Sequence, residues 1–527
     1  MNKLDLQNFL FDKAPTRLEL LEYQPESTYS YRVGIYRNHS FELIEHTINA
    51  YLDFAGFTVE FIYSDYDDSL TFVNLDKSVN AIVLWLDMSR YHTDDKTSFI
   101  HDRIDYLEKI YEGPILAILT ETVISRESRT LFYDLSELRE ELGIGFFDER
   151  LAPFSGTRLS IKACIKISRE LGLSLFPAIL KATLKAIVVD LDNTLYSGVL
   201  GEDGIYGVVL TEGHRHLQQL IKKFGEEGFF LCIVSKNEER DVIGLFNTRN
   251  DFPLKIEDFS KLYVSWNSKA DSIRLIAEYL NIHTESILFI DDNYGELISV
   301  MAEHPSIKLL HAKEDGESTC EILKHYPGLL KQSFSAEDRL RKLDIQANEE
   351  RRKMNAAMSP EEYIRSLDIK LVFSINDTEK AARVTELAKK TNQFICCYRR
   401  YSHAQIEAML ADLSIAVITI SLSDRLSDSG IIGVCVAADK GDYVNIEECL
   451  ISCRALGRGI DQIIVLGAMR EALGHFHRKK LKMNFVSGDR NEPAKLFVEK
   501  YLLPHTQEPE LLSYSYPDDL VAIEIQD

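Results

Sequence analysis

Short apolar runs that end abruptly in polar residues recur three times in the middle of the chain. The runs and their polar ends are Ala186 to Val189 followed by Asp190 and Asp192, Phe229 to Val234 followed by Ser235 to Asn237, and Ser286 to Ile290 followed by Asp291 to Asn293. Apolar runs of this length predict buried strands of a parallel sheet. Ligands bind at the carboxyl ends of strands in open α/β sheets, so we expect the polar residues to meet at one edge.

These strand-end residues predict a site for phosphoryl transfer. Asp190 and Asp192 lie two residues apart and therefore face the same side of an extended chain. Lys269 lies between the second and third runs, at the start of a helical segment. Clustered carboxylates repel each other unless they share a proton or hold a cation, and an all-oxygen set suits Mg²⁺. A single strand-end aspartate is more often a turn or helix cap, but the ordered set of acids, hydroxyl and lysine favours a magnesium-dependent site.

Strand-like and helical segments alternate in residues 1–183, which predicts a small doubly wound domain. Its strand-like segments are Tyr31 to Tyr36, Thr58 to Ile62, Ala81 to Leu86 and Pro114 to Leu119, and Phe41 to Phe54 has helical periodicity. Ser40 follows His39 after the first strand, where one would look for a nucleophile. No Asp-x-x-His pair near the end of this domain could serve as its base, so the sequence favours a structural domain over an active hydrolase.

The middle domain, residues 184–335, leaves no room for a large lid over the predicted site. Between Thr194 and Ser235 there is space only for a loop, a helix over His214 to Phe224 and a strand. The loop from Ser197 to Gly204 contains three glycines, and we interpret it as a local flap. Lids normally exclude water from such chemistry, so we expect another domain or a partner protein to cover the site.

The remainder of the chain predicts a linking helix over residues 336–360 and an α+β domain over residues 361–527. The charged run Glu349-Glu-Arg-Arg-Lys353 in the linking helix is expected to be a solvated face. Strands are expected at Ile369 to Phe373, Ala416 to Leu422, Ile431 to Ala437 and Asn445 to Ile451, and helices at Thr378 to Lys389 and Ile460 to Leu473.

Length, charge and cysteine content narrow the class of protein. A chain of 527 residues should divide into about three domains. Its formal net charge of −23 disfavours binding to nucleic acid or to anionic membranes. Eight cysteines without regular spacing are typical of reduced thiols in a cytoplasmic protein. No apolar run reaches the roughly 18 residues of a spanning helix, and no secretory leader is recognisable, so we expect a soluble, cytoplasmic protein.

The ordered motifs resemble a known superfamily. Asp190-x-Asp-x-Thr194, then Ser235, Lys269 and Asp291-Asp292, is similar to the haloacid dehalogenase (HAD) superfamily of aspartyl-phosphate phosphotransferases. The extended stretch from Asp190 to Gly204, together with Phe289 to Asn293, resembles its subclass IIIC, the FkbH-like proteins. Two dipeptides depart from that pattern: Tyr196-Ser197 stands where the family usually has Trp-Gly, and Tyr294-Gly295 where it usually has Pro-Ala.

The resemblance implies a role for each residue of the motifs. Asp190 would be the nucleophile and Asp192 the general acid and base, with Thr194 and Asn193 ordering the loop. Mg²⁺ would be held by Asp190, the backbone carbonyl of Asp192, and one or both of Asp291 and Asp292, with Asp292 preferred as the direct ligand. The residues expected to bind phosphate are Asn193, Ser235, Lys236 and Lys269.

A glycine-rich segment in the last domain suggests a second binding site. Cys453-Arg-Ala-Leu-Gly-Arg-Gly459 follows a predicted strand and opens a predicted helix, so its amides could face a phosphate. It resembles the coenzyme A loop of GCN5-type N-acetyltransferases (GNAT), with Arg454, Gly457, Arg458 and Gly459 as cofactor-binding residues. Cys453 adjoins Arg454 and the helix N-terminus, which favours a thiolate that could carry an acyl group, although a small buried residue at a strand end is an equal alternative.

The resemblance covers all three predicted domains: an SGNH-hydrolase or flavodoxin-like domain, a capless HAD-type domain and a GNAT-like α+β domain. FkbH-like proteins of polyketide pathways take the glyceryl group of 1,3-bisphosphoglycerate, remove phosphate and load the phosphopantetheine thiol of an acyl carrier protein; others belong to polysaccharide pathways. Arg399-Arg400 is a candidate basic patch for such an acidic carrier. The alternatives are a plain magnesium-dependent phosphatase of a sugar phosphate or similar metabolite with a coenzyme A-binding acetyltransferase domain, and a non-catalytic scaffold.

Overall fold

Three β-sheets organise the part of the chain that the computed structural model describes. The described residues are 2–66, 70–93, 95–121, 128–150, 152–331, 347–348, 350–351, 353–355, 357–391, 393–452, 455–456, 458–488, 491–502 and 521–526. The chain divides into one unit of residues 1–277 and 283–334 and a second of residues 278–282 and 335–527. Two parallel sheets lie in the first unit and a mixed sheet in the second. The expected α/β class is confirmed, whereas the boundaries of three separate domains stay a prediction.

The first sheet is parallel throughout. Its strands are β1 (Ser30–Arg37), β2 (Thr58–Tyr63), β3 (Ala81–Leu86), β4 (Ile115–Leu119) and β5 (Leu131–Asp134), in the spatial order β2-β1-β3-β4-β5. The accompanying helices are α1 (Lys3–Gln7), α2 (Arg17–Glu22), α3 (Glu42–Glu45), α4 (Asn49–Ala55), α5 (Lys96–Ile110), α6 (Ser136–Leu142), α7 (Ala152–Ser155), α8 (Ile161–Glu170) and α9 (Phe176–Leu180). The strand order reverses direction at β1, so this sheet is doubly wound as the sequence predicted.

The helix expected over Phe41 to Phe54 is wrong as a single element, because the chain breaks it into α3 and α4. The hydroxyl of Thr47 donates to the carbonyls of Leu43, at 3.1 Å, and Ile44, at 3.3 Å. These bonds use acceptors that a continuous helix would give to its own backbone. The apolar periodicity continues across the break because both helices pack on the same core, which includes Ile44, Ile48 and Leu52.

The second sheet carries the three apolar runs that end in polar residues. Its strands are β6 (Ala186–Val189), β7 (Phe230–Ser235), β8 (Lys261–Val264), β9 (Ile287–Asp291) and β10 (Lys308–His311), all parallel and in the order β10-β9-β6-β7-β8. Its helices are α10 (Leu200–Gly207), α11 (Glu212–Glu226), α12 (Glu239–Thr248), α13 (Lys269–Leu280), α14 (Tyr294–Glu303) and α15 (Gly316–Lys324). Every residue of β6, β7 and β9 is buried, as their uninterrupted apolar sequences predict.

The amino-terminal helix packs on the edge of this second sheet. The side-chain amide of Gln7 donates to the carbonyl of His311 at 2.9 Å, and the His311 N–H donates back to Gln7 at 3.0 Å. These bonds occupy backbone groups of β10, which is an edge strand and would otherwise leave them unpaired. Lys313 adds an ion pair with Asp12 at 2.8 Å. The amino-terminal segment therefore covers the β10 edge of the second sheet.

The second unit is built on a mixed sheet. Its strands are β11 (Lys370–Ile375), β12 (Phe394–Ile395), β13 (Ile415–Ser423), β14 (Asp428–Asp439), β15 (Val444–Ile451), β16 (Leu481–Met483) and β17 (Ala522–Gln526). The order is β12-β15-β14-β13-β11-β17, with β16 beside β15 and antiparallel pairing from β12 to β11. Its helices are α16 (Pro360–Leu367), α17 (Ala381–Lys390), α18 (His403–Ala411), α19 (Asp461–His475) and α20 (Glu492–Phe497). Across the described ranges of both units, no helix is long and apolar enough to span a membrane.

The charged segment before α16 is not simply a solvated face. Its described residues from 347 to 355 are helical, as predicted. However, Arg351 is only 2 % exposed, and its guanidinium donates to both carboxylate oxygens of Asp424, at 2.9 and 2.8 Å. The sequence of a charged run does not show which of its residues is buried, because the residue that pairs with it, here Asp424, lies far away in the sequence.

Candidate active site

The carboxyl ends of three neighbouring strands bring the predicted site residues together. Asp190 directly follows β6, Ser235 is the last residue of β7 and Asp291 is the last residue of β9. β6 lies between the other two strands, and the Asp190 N–H donates to the carbonyl of Ile290 at 2.9 Å. All three side chains are buried, with Asp190 5 % exposed and Asp291 fully covered.

Lys269, the first residue of α13, joins two of these carboxylates. Its ammonium lies 2.7 Å from Asp190 Oδ2 and 2.6 Å from Asp291 Oδ2. Burial lowers the pKa of Lys269, but the charges of Asp190 and Asp291 outweigh burial and hold this pKa above its usual value. The lysine is therefore a fixed positive charge at the centre of the site.

The acidic residues fit a divalent cation. Asp190, Asp291 and Asp292 each offer an oxygen within 4.8 Å of the other two. Oδ1 of Asp190 is buried and has no hydrogen-bond partner among the described residues. Burial and the charge of Asp190 raise the pKa of Asp291 and of Asp292. One ammonium leaves two of the three negative charges unbalanced, so the oxygen donors and the charge together suit Mg²⁺.

Asp192 lies outside this trio and is held by three donors. The Tyr196 hydroxyl donates to Oδ1 at 2.7 Å and the Leu200 N–H to the same oxygen at 2.9 Å. The Asn237 side-chain amide donates to Oδ2 at 2.9 Å. Burial, followed by the charge of Asp192, raises the pKa of the Tyr196 hydroxyl, which therefore stays protonated as a donor. The Asp192 carboxylate is thus fixed by the protein at both oxygens.

The residues after Asp192 shape the loop that holds it. Asn193 adopts a left-handed backbone with φ of +50°, and its side-chain oxygen accepts from the Gly198 N–H at 3.0 Å. Thr194 is 1 % exposed and its N–H donates to the carbonyl of Leu191 at 3.1 Å. Asn193 is therefore engaged within the loop, and its predicted contact with phosphate stays a prediction.

Ser235 and Lys236 differ in their availability to a phosphoryl group. Ser235 is buried, and its hydroxyl oxygen accepts from Asn237 at 3.2 Å. The Lys236 ammonium pairs with Glu296, in the first turn of α14, at 2.5 Å and is partly exposed. Lys269 is thus the cation at the acid cluster, whereas a phosphate-binding role for Lys236 would require it to leave Glu296.

The interpretation of Ser197 to Gly204 as a loop needs correction, because α10 begins at Leu200. Gly204 alone departs from helical geometry, with φ of +69°. The Arg249 guanidinium donates to the carbonyls of Ile205, at 3.1 Å, and Val208, at 2.7 Å. This segment is therefore a short helical element that kinks at Gly204 and is anchored at its end by Arg249. Between β6 and β7 the chain contains only α10 and α11, consistent with the absence of a large lid.

The predicted coenzyme A loop is only partly described. Cys453, Arg454 and Gly457 lie outside the described residues. Gly459 has φ of +76° and precedes α19, as a turn after β15 requires. Arg458 is 2 % exposed; its guanidinium lies 3.0 Å from Asp424 and 2.8 Å from the Ser429 hydroxyl. Its role in cofactor binding stays a prediction, since the described contacts of this side chain are internal.

The candidate docking patch is engaged in local contacts. Arg399 pairs with Glu447. The Arg400 guanidinium donates to the carbonyl of Thr391 at 2.6 Å and to that of Ala388. Arg400 therefore holds the end of α17, and a role of this pair in binding a carrier stays a prediction.

Ser40 and His39 do not form a nucleophile and base pair. The Ser40 hydroxyl donates to Glu42 at 2.5 Å, whereas His39 stacks on Trp85 and shares a 2.9 Å hydrogen bond with the Thr157 hydroxyl. Burial lowers the pKa of His39 to about 3. The expectation of a structural, non-catalytic domain stays a prediction.

Sequence reasoning missed Tyr196, Asn237 and the Leu200 N–H as partners of Asp192. Asn237 lies two residues after Ser235, at the same strand end, and this spacing was a usable signal. Tyr196 stands where the resembled family usually has tryptophan. The sequence shows this difference, but it does not show that the tyrosine hydroxyl binds Asp192. The Leu200 N–H is a backbone donor, so the type of residue at this position gives no indication of the contact.

Comparisons with known proteins give only weak likenesses. No family model and no curated protein match the chain.

Several solved structures do match parts of the chain. The N-terminal part of the protein BF1531 from Bacteroides fragilis, containing a phosphatase domain complexed with Mg, is 19% identical and covers 63% of this chain and 100% of its own, with a TM-score of 0.47. A HAD family enzyme from Bacteroides thetaiotaomicron is 13% identical over 25% of this chain and 95% of its own, with a TM-score of 0.19. A protein from Agrobacterium tumefaciens that is described as a proposed acetyltransferase is 15% identical over 24% of this chain and 89% of its own, with a TM-score of 0.18. Likenesses of this degree assign neither family nor activity, so the function is argued from the site.

Proposed function

We propose that the protein is a Mg²⁺-dependent phosphotransferase of the HAD type that forms an aspartyl phosphate on Asp190. The observation that carries this proposal is the environment of Asp190. One carboxylate oxygen is held by Lys269 at 2.7 Å, and the other is buried without a partner among the described residues, beside Asp291 and Asp292. A purely structural aspartate would satisfy both oxygens, because an unpaired buried acceptor is costly.

The residues around Asp190 suit a displacement in two steps. An Asp190 oxygen bonds to phosphorus and the leaving-group oxygen departs, with Asp192 placed to give it a proton. Water then bonds to phosphorus, passes a proton to Asp192 and releases Asp190. Ser235 and Lys269 donate to the phosphoryl oxygens, where fixed donors lower the transition-state energy. Mg²⁺, held by Asp190, Asp291, Asp292 and the backbone carbonyl of Asp192, would supply further positive charge to those oxygens.

The more specific proposal is transfer of a glyceryl group. Its support is the resemblance of the stretch from Asp190 to Gly204 to the FkbH-like proteins. The donor would be a small phosphorylated metabolite such as 1,3-bisphosphoglycerate, and the acceptor the phosphopantetheine thiol of an acyl carrier protein. Cys453, outside the described residues, is the candidate for an acyl-enzyme intermediate. The reaction would serve polyketide or polysaccharide biosynthesis in the cytoplasm.

The second candidate is a phosphatase that acts without a carrier, with the second unit binding coenzyme A for a separate acetyl transfer. One observation favours it. The described groups of the proposed phosphoryl site all belong to the first unit. The substrate would then be a sugar phosphate or a similar metabolite.

One incubation separates the two candidates. The protein is mixed with Mg²⁺, 1,3-bisphosphoglycerate generated in situ and a phosphopantetheinylated carrier, and intact masses and released phosphate are followed together. A glyceryl mass gain on enzyme or carrier that Asp190→Asn abolishes supports glyceryl transfer. Phosphate release without a mass gain supports the plain phosphatase. Absence of both, together with absence of Mg²⁺ binding by calorimetry, would support a non-catalytic scaffold.

A further inference from the structure

The Tyr196 hydroxyl is directed at the proposed acid and base. Tyr196 is fully buried and lies four residues after Asp192 in the same loop. Its ring packs against Phe252 with a centroid separation of 5.9 Å, and its hydroxyl donates to Asp192 Oδ1 at 2.7 Å. A phenylalanine would preserve the ring packing, so packing alone does not account for a buried hydroxyl at this position.

The two oxygens of Asp192 have different surroundings. Oδ1 accepts from the Tyr196 hydroxyl and the Leu200 N–H, both from the loop and short helix that follow β6. Oδ2 accepts only from Asn237 among the described contacts, and the same amide also contacts Ser235. Ser235 marks the phosphoryl side of the site, so Oδ2 faces the reaction while Oδ1 faces the loop.

We propose that Tyr196 is a positioning residue that fixes Oδ1 of Asp192 and thereby presents Oδ2 as the atom that exchanges protons. This inference rests on the proposed chemistry at Asp190. In the second step a water oxygen bonds to phosphorus, and the bond from phosphorus to the Asp190 oxygen breaks with its electron pair returning to the carboxylate. The water proton passes to Oδ2 of Asp192, and inorganic phosphate departs. Without the Tyr196 hydroxyl, Oδ1 keeps only the Leu200 N–H as a donor, so the carboxylate is held less firmly and the geometry for proton transfer is populated less often.

The test compares Tyr196→Phe with Tyr326→Phe as a matched control. Tyr326 is also buried in the first unit, and its hydroxyl donates to the carbonyl of Leu309 at 3.0 Å, so both variants lose one buried hydroxyl. The probe is acetyl phosphate with Mg²⁺. We expect kcat of Tyr196→Phe to fall about tenfold with KM changed less than about twofold. The fraction of enzyme trapped as aspartyl phosphate at steady state should rise, because hydrolysis of the intermediate needs the base. Mg²⁺ affinity by calorimetry should not change.

A second variant removes the other donor to Oδ1. Leu200 is the first residue of α10, and Val199 before it is extended, with φ of −118° and ψ of 116°. Proline is tolerated at a first helical position and after an extended residue, so Leu200→Pro deletes the N–H while keeping the helix. It should also raise the trapped fraction, and it keeps the proposal testable if Tyr196→Phe does not fold.

Two outcomes overturn the proposal in different ways. If the wild-type protein forms an aspartyl phosphate and Tyr196→Phe matches Tyr326→Phe in kcat and in trapped fraction, the hydroxyl serves packing only. If the wild-type protein neither releases phosphate nor becomes phosphorylated on Asp190, the proposed function itself fails and the role of Tyr196 fails with it.

Discussion

The ammonium of Lys269 donates to the carboxylate of Asp190 across 2.7 Å, and both groups are almost completely buried. The same ammonium reaches Asp291 at 2.6 Å. Asp190 is the proposed nucleophile, and this lysine places a positive charge directly against its carboxylate. The geometry therefore holds a buried cation between the carboxylate proposed to react and a second carboxylate of the acid cluster.

Removing this ammonium should damage both folding and chemistry. Lys269→Met leaves two buried carboxylates without their cation, which should cost about 3–5 kcal/mol in the free energy of unfolding, measured with urea in the presence of a chelator. Phosphate release should fall at least about 100-fold. The control is Lys236→Met, whose ion pair with Glu296 is partly exposed and should contribute at most about 1 kcal/mol. Equal losses in the two variants would contradict the central role of Lys269.

The acid cluster should make the metal-free protein less stable as pH rises. Burial and the charge of Asp190 raise the pKa of Asp291 to about 7, from an ordinary value of 3.8, and raise that of Asp292. A group with a raised folded-state pKa favours folding below its unfolded pKa and loses that contribution as pH climbs through the folded pKa. Urea unfolding in chelator should therefore show this contribution declining between about pH 4 and pH 7. Asp291→Asn should flatten that dependence.

Binding of Mg²⁺ should restore the stability that the metal-free protein loses as pH rises. An ion that binds only the folded protein stabilises it by about 2.7 kcal/mol at 100 times its dissociation constant. Asp292→Asn removes one of the three clustered carboxylates, so its Mg²⁺-induced shift in melting temperature should be much smaller. The control is Asp271→Asn, an exposed residue of α13 that pairs with Arg274. A full magnesium shift in Asp292→Asn would remove this residue from the metal site.

The second unit should depend on a buried carboxylate shared by two arginines. The side chain of Asp424 is completely covered and lies within 3.0 Å of Arg351 and Arg458. Asp424→Asn removes the negative charge that these two buried guanidiniums share and should cost about 3–5 kcal/mol in the free energy of unfolding of this unit. Asp439→Asn is the control, because Asp439 also accepts two bonds from one arginine, Arg478, but at the surface. A similar decrease in the free energy of unfolding in both variants would show that the burial of Asp424 does not increase the stability contributed by its ion pairs.

Strand ends were predictable from the sequence because burial and register act locally. An apolar run such as Ala186 to Val189, bounded by polar residues and rich in β-branched side chains, favours a buried strand, and the polar residues that follow then lie at the edge of the sheet. The break between α3 and α4 was not predictable, because it depends on the Thr47 hydroxyl and not on apolar spacing. The burial of Arg351 was hidden for a related reason: its partner Asp424 is 73 residues away. Contacts of Asp192 with Tyr196 and Leu200 arise from loop geometry, which residue spacing does not encode.

The most direct test of the account is to trap the phosphorylated enzyme and locate the phosphoryl group. The protein is incubated with acetyl phosphate and Mg²⁺, quenched in acid and digested, and the peptide that contains Asp190 is analysed by mass spectrometry. The account predicts one phosphoryl group on Asp190, removable by hydroxylamine, absent without Mg²⁺ and absent in Asp190→Asn. Phosphate release that continues undiminished in Asp190→Asn, with no modified Asp190 in the wild-type protein, would contradict it.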